Sequence, residues 1–466
     1  MKRHYIKGRR AEHMGKKILI ICNYFAPDNE IAAVRLTKFA KYLSESGYLL
    51  TVIAENRERI VEDSILREEI NGIQVKRISN SDRAQKRLFN YKKLIEKIKK
   101  KKYDNLENRM KFNKNSGKYE FYPFETAHPI IGSLDYLAEL YRQYDLYKEG
   151  KSLLKQEQDY DVCLTSYGGY FGLFSGAYLK KKRPDYMWIL DIRDPICRNK
   201  FTPRYVRGIA RRFEKKACLS ADTVISVTEH MCKYYQKYNC RSYCITNGFD
   251  WSDRRDIIRR RLQESKLCFA YTGSMYGGLM NLSIVFECIK ELDKEKKLHK
   301  ERLEFHFAGR ESAYPIFNSQ AQKYGMGNLC VNHGRLTRKE ALQLQSDADI
   351  LLAAAWDYTV EAEGIITGKI LEYMSAQRPV IMIINGDVSN NEAAEIVRNC
   401  KLGAAYEQSH HEEDKQALKQ FIYMKYCEYI EKGELSFTPN LEGIGAFDYK
   451  RLTDKLIKVI EKERER

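Results

Sequence analysis

The chain has 466 residues, of which 43% are hydrophobic and 31% charged, which suits two or three domains with sizeable cores and excludes a wholly disordered chain. With 9 prolines and 27 glycines it is neither collagen-like nor dominated by linkers. Lys and Arg outnumber Asp and Glu by 81 to 63, a formal charge of +18, so the chain attracts anions: nucleic acid, phosphorylated substrates or an acidic membrane face.

The stretch Lys17–Cys22 is apolar and too short for an independent helix, so it reads as a buried parallel strand. A loop through Pro27 leads to a helix from Ile31 to Ser46, with Val34, Leu36, Phe39, Ala40 and Leu43 on one side and Gly47 as its stop. A strand at Leu49–Ala54 completes a βαβ opening. The pattern breaks near Ser79. From Arg83 to Lys118 there are 14 Lys/Arg against 3 Asp/Glu, with Leu88, Tyr91, Leu94, Ile95 and Ile98 at helical spacing. This insertion reads either as a basic amphipathic helix suited to an anionic membrane surface or as a solvated helix in a surface loop. A helix is expected at Leu134–Tyr147. Strands then follow at Tyr160–Thr165, Met187–Asp191, Thr223–Val227 and Tyr243–Thr246, with a basic helix at Tyr205–Leu219. The turn pair Asn247-Gly248 and the polar stretch Ser252–Lys266 divide the chain.

The second half starts afresh. Strands are expected at Leu267–Tyr271, Leu303–Ala308, Leu329–His333, Ile350–Ala354 and Pro379–Ile384, and helices at Leu282–Leu292, Lys339–Ser346, Gly368–Ala376 and Asn390–Arg398. A charged amphipathic helix at Tyr449–Glu463 ends the pattern. The fold class is therefore α/β, two doubly wound Rossmann-like domains with a cleft between them. The expected divisions are a basic extension over 1–16, a first domain over 17–255 carrying the insertion 83–118, a second domain over 256–440, and a terminal helix over 441–466.

No run approaches the ~20 apolar residues of a membrane span, and the basic start lacks the apolar core of a signal peptide. The 12 cysteines are scattered, and the closest pair, Cys240 and Cys244, has no second pair or His cluster at zinc spacing. Reduced cytosolic thiols and no bound metal are expected.

Open parallel sheets place ligands beyond the carboxyl ends of their strands, and four loops there hold candidate chemistry. Tyr271-Thr272-Gly273-Ser274 begins a small-residue loop where backbone amides can approach an anion, though a structural turn has the same composition. Gly368-Lys369-Ile370-Leu371-Glu372 opens a helix whose free amides favour a diphosphate. A cation in that first turn opposes the helix dipole, and Glu372 shares its face at (i, i+3); a carboxylate there can accept both ribose hydroxyls, while an ordinary Lys–Glu surface pair has the same spacing. Asp191-Ile192-Arg193-Asp194-Pro195 is either a site or a buried ion pair fixing a loop, and structure is the favoured reading. Thr246-Asn247-Gly248-Phe249-Asp250 reads as a turn.

In their order along the chain these segments resemble glycosyltransferase family 4, of GT-B architecture. The opening Ile18–Pro27 is similar to the family's first strand and acceptor-side loop, Asp191–Asp194 to its Asp-x-Arg-Asp motif, Thr246–Asp250 to its Pro-Asn-Gly-x-Asp turn, and Tyr271–Ser274 to its donor-side glycine loop. Lys369-Ile370-Leu371-Glu372-Tyr373, with Arg378-Pro379-Val380, resembles the Gly-Lys-x-x-Glu-Tyr form of its donor helix. The resemblance implies transfer of a sugar from a nucleotide-diphosphate sugar to an acceptor, with retention and without an obligatory metal or other cofactor. It implies that Glu372 binds ribose, that Gly273, Ser274 and Lys369 face the diphosphate, that Tyr24, Arg193 and Asp194 lie on the acceptor side, and that the terminal helix returns to the first domain. It names no general base; under retention the leaving phosphate takes the acceptor's proton.

Two departures stand out. The position eight residues before Glu372 is Gly364, where many members carry a second Glu, and Gly273 to Leu282 contains no Lys or Arg. Lys369, or Arg310 after the Leu303–Ala308 strand, is left to supply the positive charge. These departures motivate a catalytically degenerate GT-B binding protein as the alternative, and a nucleotide-sugar epimerase shares the architecture. A nucleic-acid partner is set aside because no RRM, KH or zinc-finger pattern is present. Together with the basic insertion, the expectation is a cytoplasmic enzyme, peripheral on the inner face of the plasma membrane, acting on a glycan or lipid-linked precursor of a surface polysaccharide.

Overall fold

The computed structural model describes residues 15–57, 61–102, 110–113, 118–121, 128–156, 159–199, 202–238, 240–275, 279–356, 368–386 and 389–465. The extension before residue 15, residues 276–278 of the glycine loop and 364–367 ahead of Lys369 lie outside these. Two units partition the chain. The first runs to Thr246 and includes Leu452–Arg466, and the second is Asn247–Arg451.

The first unit is built on seven parallel strands. β1 (Lys17–Cys22), β2 (Leu49–Glu55) and β3 (Gln74–Ile78) precede the insertion, whose short antiparallel hairpin is β4 (Met110–Asn113) and β5 (Lys118–Phe121). β6 (Val162–Tyr167), β7 (Met187–Ile192), β8 (Thr223–Ser226) and β9 (Ser242–Cys244) follow. The sheet order is β3-β2-β1-β6-β7-β8-β9. β1 pairs with β2 on one side, Ile20 opposite Val52, and with β6 on the other, Ile20 opposite Leu164. Chain order reverses between β1 and β6, so this is the switch point of the sheet. β1 is apolar on both faces, and β7 is buried along its whole length with Asp191 as its one charged residue, which is why they read as largely apolar runs.

The insertion contains the helix Asp82–Lys102 as well as the hairpin. The helix expected at Leu134–Tyr147 is twice as long, Pro129–Gln156, and runs through Gly132 and Gly150, both buried within it. Elements without a sequence expectation include β3, the helices Ser64–Glu69, Tyr170–Lys182, Glu229–Gln236, Tyr314–Gln322 and His411–Lys432, and the last strand of the second sheet.

The second unit has six parallel strands: β10 (Leu267–Thr272), β11 (Leu303–Ala308), β12 (Cys330–Asn332), β13 (Ile350–Trp356), β14 (Val380–Asn385) and β15 (Gly403–Glu407). Their order is β12-β11-β10-β13-β14-β15, with the switch between β10 and β13. Two apolar layers sandwich the sheet. Phe269, Tyr271, Phe286, Phe305 and Phe317 fill one, and Ala270, Leu351, Ala353, Tyr373 and Met374 fill the other. The small side chains on the second face let the helix Gly368–Ala376 sit close to the strands. The chain's final helix, Tyr449–Arg464, begins in the second unit and belongs to the first from Leu452 on.

Candidate functional site

The carboxyl ends of β10 and β13 define the most organised polar site in the second unit. β10 ends in Thr272 and turns at Gly273, which has φ +122°, a conformation that favours glycine. A Cβ at Gly273 would also fall 2.5 Å from Lys369 Cε, so the lysine stem lies directly on this backbone. Lys369 Nζ sits 4.9 Å from the Tyr271 ring centroid and 3.5 Å from the Ser274 carbonyl oxygen. Burial pushes its ammonium down to about 8, against a smaller upward pull from Glu372. Gly309, after β11, is equally constrained: a Cβ there would lie 2.4 Å from the Gly273 carbonyl oxygen.

One helical turn beyond Lys369, Glu372 is clamped by partners from elsewhere in the unit. Arg338 donates to Glu372 Oε2 at 3.2 Å and to Asp253 Oδ2 at 2.8 Å. Gln345 Nε2 donates to Glu372 Oε1 at 2.5 Å and to Thr272 Oγ1 at 3.0 Å. The Tyr373 hydroxyl accepts the Thr272 amide at 3.0 Å, tying the helix to the end of β10. Arg338 is the first residue of its helix because Thr337 and Glu340 form a reciprocal capping box ahead of it. Gln345 lies seven residues on, two turns along the same face.

Asp250 caps the short 3₁₀ helix Trp251–Arg254 by accepting the Ser252 amide at 2.8 Å. That turn presents Asp253 to Arg338, and Arg254 to Ser375, Ser346 and the Leu342 carbonyl. Burial pushes the Arg254 guanidinium down to about 10, with Glu372 opposing. Arg254, Arg338 and Lys369 are set against Asp250, Asp253 and Glu372, so the charges within the cluster balance.

Three of the expected donor-side positions, Gly273, Lys369 and Glu372, therefore come together, with Ser274 contributing its carbonyl. Arg310 is exposed in the loop after β11 and takes no part in the Glu372 network. Sequence reading missed Arg338, Gln345 and Arg254. The Thr337-x-x-Glu340 capping signature was the only local signal, and it fixed a helix start rather than a role.

In the first unit β7 ends at Ile192, so Asp191 belongs to the strand while Arg193 and Asp194 belong to the loop after it. Asp191 is fully buried and pairs with Arg35 Nη2 at 3.0 Å, while Ser166 donates to it at 2.9 Å. Arg35 also donates to the Ile245 and Thr246 carbonyls at 2.8 and 2.6 Å, so this pair joins the first helix, β7 and the exit of β9. Arg193 instead donates to the Ala32 carbonyl at 2.6 Å, beside Tyr24. A Cβ on Gly168 would lie 2.9 Å from the Tyr24 ring and 3.3 Å from Arg193. Arg57 stacks over the Tyr24 ring at 4.3 Å, and Asp194 is exposed. Tyr24, Gly168 and Arg193 all lie at the carboxyl ends of β1, β6 and β7, around the switch point. A cavity of ≈ 410 Å³ lined by Lys17, Tyr48, Thr51 and Gln74 opens instead at the amino ends of β1 and β2, the end opposite to the ligand end of a parallel sheet.

Among the described residues, two groups within single units have the side-chain types of a metal site. Cys268, Glu304 and His306 are buried together, and Glu407, His410 and Asp414 adjoin. A cation already holds the carboxylate in each: Lys266 meets Glu304 at 2.8 Å and Arg398 meets Glu407 at 2.8 Å. These are ion-paired clusters, which compete with a metal for the same oxygens.

No family model matches the chain, and no curated protein matches it. Among solved structures it is similar to the sucrose-phosphate synthase of Thermosynechococcus elongatus, with TM-score 0.57 and 11% identity over 96% of this chain and 98% of that one. It is similar to a UDP-forming alpha,alpha-trehalose-phosphate synthase of Burkholderia vietnamiensis, with TM-score 0.59 and 11% identity over 96% and 100%. A trehalose-6-phosphate structure from E. coli bound with UDP-2-fluoro glucose matches with TM-score 0.59 and 12% identity over 96% and 99%. At such identity the likeness is one of fold, and that fold is GT-B, two Rossmann-like units in one chain.

Proposed function

We propose that the chain is a glycosyltransferase that takes a hexosyl group from a nucleotide-diphosphate sugar bound by the second unit. The observation that carries this reading is Lys369, laid on the Gly273 backbone at the β10–β13 switch point with the clamped Glu372 one turn away. Two fold neighbours support it, one named as UDP-forming and one bound with UDP-2-fluoro glucose. The residues quoted above for the resemblance to family 4 support it independently of the fold.

In this reading the free amides at the start of the helix Gly368–Ala376 and the Lys369 ammonium face the diphosphate. As the glycosidic bond breaks, negative charge grows on the leaving phosphate, and fixed cations and amides aimed at it lower the barrier. Glu372, held by Arg338 and Gln345, keeps acceptor capacity for the ribose hydroxyls, since a carboxylate has about four lone-pair sites and two protein donors meet it. Transfer is retaining and uses no metal. The acceptor is a glycan or lipid-linked precursor met by Tyr24, Arg193 and Asp194 in the first unit.

Turnover of a panel of UDP-, GDP- and ADP-sugars, followed by release of the nucleoside diphosphate, tests the proposal. Glu372→Ala is expected to raise the donor KM more than tenfold. A folded Glu372→Ala variant with unchanged KM overturns the assignment of Glu372. Nucleotide binding without turnover of any donor moves the chain to the catalytically degenerate reading.

A further inference from the structure

Two adjacent helices of the first unit leave apolar side chains in water beside a dense cationic face. On the helix Pro129–Gln156, Ile130, Leu134, Leu137 and Tyr144 are 68%, 45%, 42% and 48% exposed, with Tyr141 half-buried among them. The spacing 130, 134, 137, 141, 144 confines these five to one narrow face. The opposite face is already used: Gly132, Gln143, Leu146 and Leu154 are buried. A helix apolar on opposite faces is ordinarily covered on both; here Phe174 covers the face at Tyr144, ring centroids 5.7 Å apart, while Ile130, Leu134 and Leu137 stay exposed.

A third face holds the insertion helix Asp82–Lys102. The Tyr91 hydroxyl donates to Asp135 at 2.7 Å, and the Ser81 amide to Asp145 at 2.9 Å, so the two helices run antiparallel. The insertion helix buries Ala84 and Ile95 and exposes Phe89, Leu94 and Ile98. Its sequence, DRAQKRLFNYKKLIEKIKKKK, carries ten Lys/Arg against Asp82 and Glu96, and Lys86, Arg87, Lys92, Lys93 and Lys97 are exposed.

We propose that this two-helix face docks on an anionic lipid bilayer. The aliphatic stripe enters the headgroup boundary and the flanking lysines meet lipid phosphates, since interfacial binding scales with buried apolar area together with attraction to anionic lipid. Nucleic acid satisfies the lysines alone and leaves Ile130, Leu134 and Leu137 in water. A second copy of the chain brings the same cationic helix to the same seam, where like charges repel. The surface is independent of the donor site, and its test uses no nucleotide.

Flotation of the full chain with phosphatidylcholine vesicles, with and without phosphatidylglycerol, reads the binding. The chain is expected to float only with phosphatidylglycerol present, and less in high salt. Leu134→Ser/Leu137→Ser is expected to cut the bound fraction at least about tenfold, because two buried leucines account for more than that factor in transfer energy. Lys92→Glu/Lys93→Glu/Lys97→Glu is expected to abolish binding. Unchanged urea midpoints show that both variants fold, and fluorescence of Leu134→Trp should shift to the blue on vesicles. No flotation with phosphatidylglycerol overturns the proposal. So does flotation untouched by the leucine changes, which marks charge-only adsorption, or RNA binding or self-association without vesicle binding.

Discussion

Lys369 occupies an uncomfortable place for a cation. It lies in the first turn of a helix, against the dipole, and over an aromatic ring next to backbone. Burial there pushes its ammonium down to about 8, against a smaller upward pull from Glu372. A diphosphate binds the protonated form, so its affinity is fully present below about pH 8 and falls as pH rises through that value, by at most about tenfold per pH unit. Bound anion raises the lysine pKa in turn by linkage. Titration calorimetry of UDP between pH 7 and 9.5 should show this slope in the wild type and lose it in Lys369→Ala. Arg338 acts through Glu372 as a positioning residue. Arg338→Ala should raise the donor KM about tenfold, with a smaller effect on kcat, because a charged hydrogen bond contributes about 1.5–3 kcal/mol. Arg338→Lys should restore part of that loss, an outcome that a purely stabilising role does not predict.

Elements hold these side chains through contacts that tolerate little change. Gly309→Ala puts a Cβ against the Gly273 carbonyl oxygen, a backbone atom that cannot swing away. It should destabilise the chain by about 1–3 kcal/mol in urea unfolding. In the first unit, Asp191→Ala leaves the buried Arg35 guanidinium without its carboxylate and should cost about 3–5 kcal/mol. An unfolding midpoint that does not move removes that pair from the fold's supports. The core strands were legible because each is a short apolar run bounded by turn residues, as in Lys17–Cys22 and Leu267–Thr272. The elements that were not legible lack that signature. β3 is an edge strand in which only Ile78 is fully buried. The helix Tyr170–Lys182 is apolar nearly all round, with Gly172 and Gly176 admitting the Ser166 carbonyl and the Trp188 ring, so it shows no period. The site was legible where its residues are consecutive, at Gly273-Ser274 and at Lys369–Glu372. Arg338, Gln345 and Arg254 reach Glu372 from 34, 27 and 118 residues away, and no local pattern announces such partners.

At the scale of the whole molecule, sheet topology explains why the polar clusters lie where they do. Each unit reverses its strand order once, and the clusters around Lys369 and around Tyr24 both occupy the carboxyl ends at that reversal. Among the described residues no helix is long and apolar enough to cross a membrane, and no two cysteines are joined in a disulfide. The overall charge of +18 has a local expression in the insertion helix, with ten Lys/Arg against Asp82 and Glu96. On the reading proposed above, the second unit binds a nucleoside diphosphate at the β10–β13 switch point. Its most direct test is calorimetric binding of UDP, GDP and ADP to the wild type, Lys369→Ala and Glu372→Ala, with folding checked by urea midpoints. The wild type is expected to bind one diphosphate selectively, and both variants at least tenfold more weakly. No binding by the folded wild type, or equal binding by all three proteins, contradicts that reading.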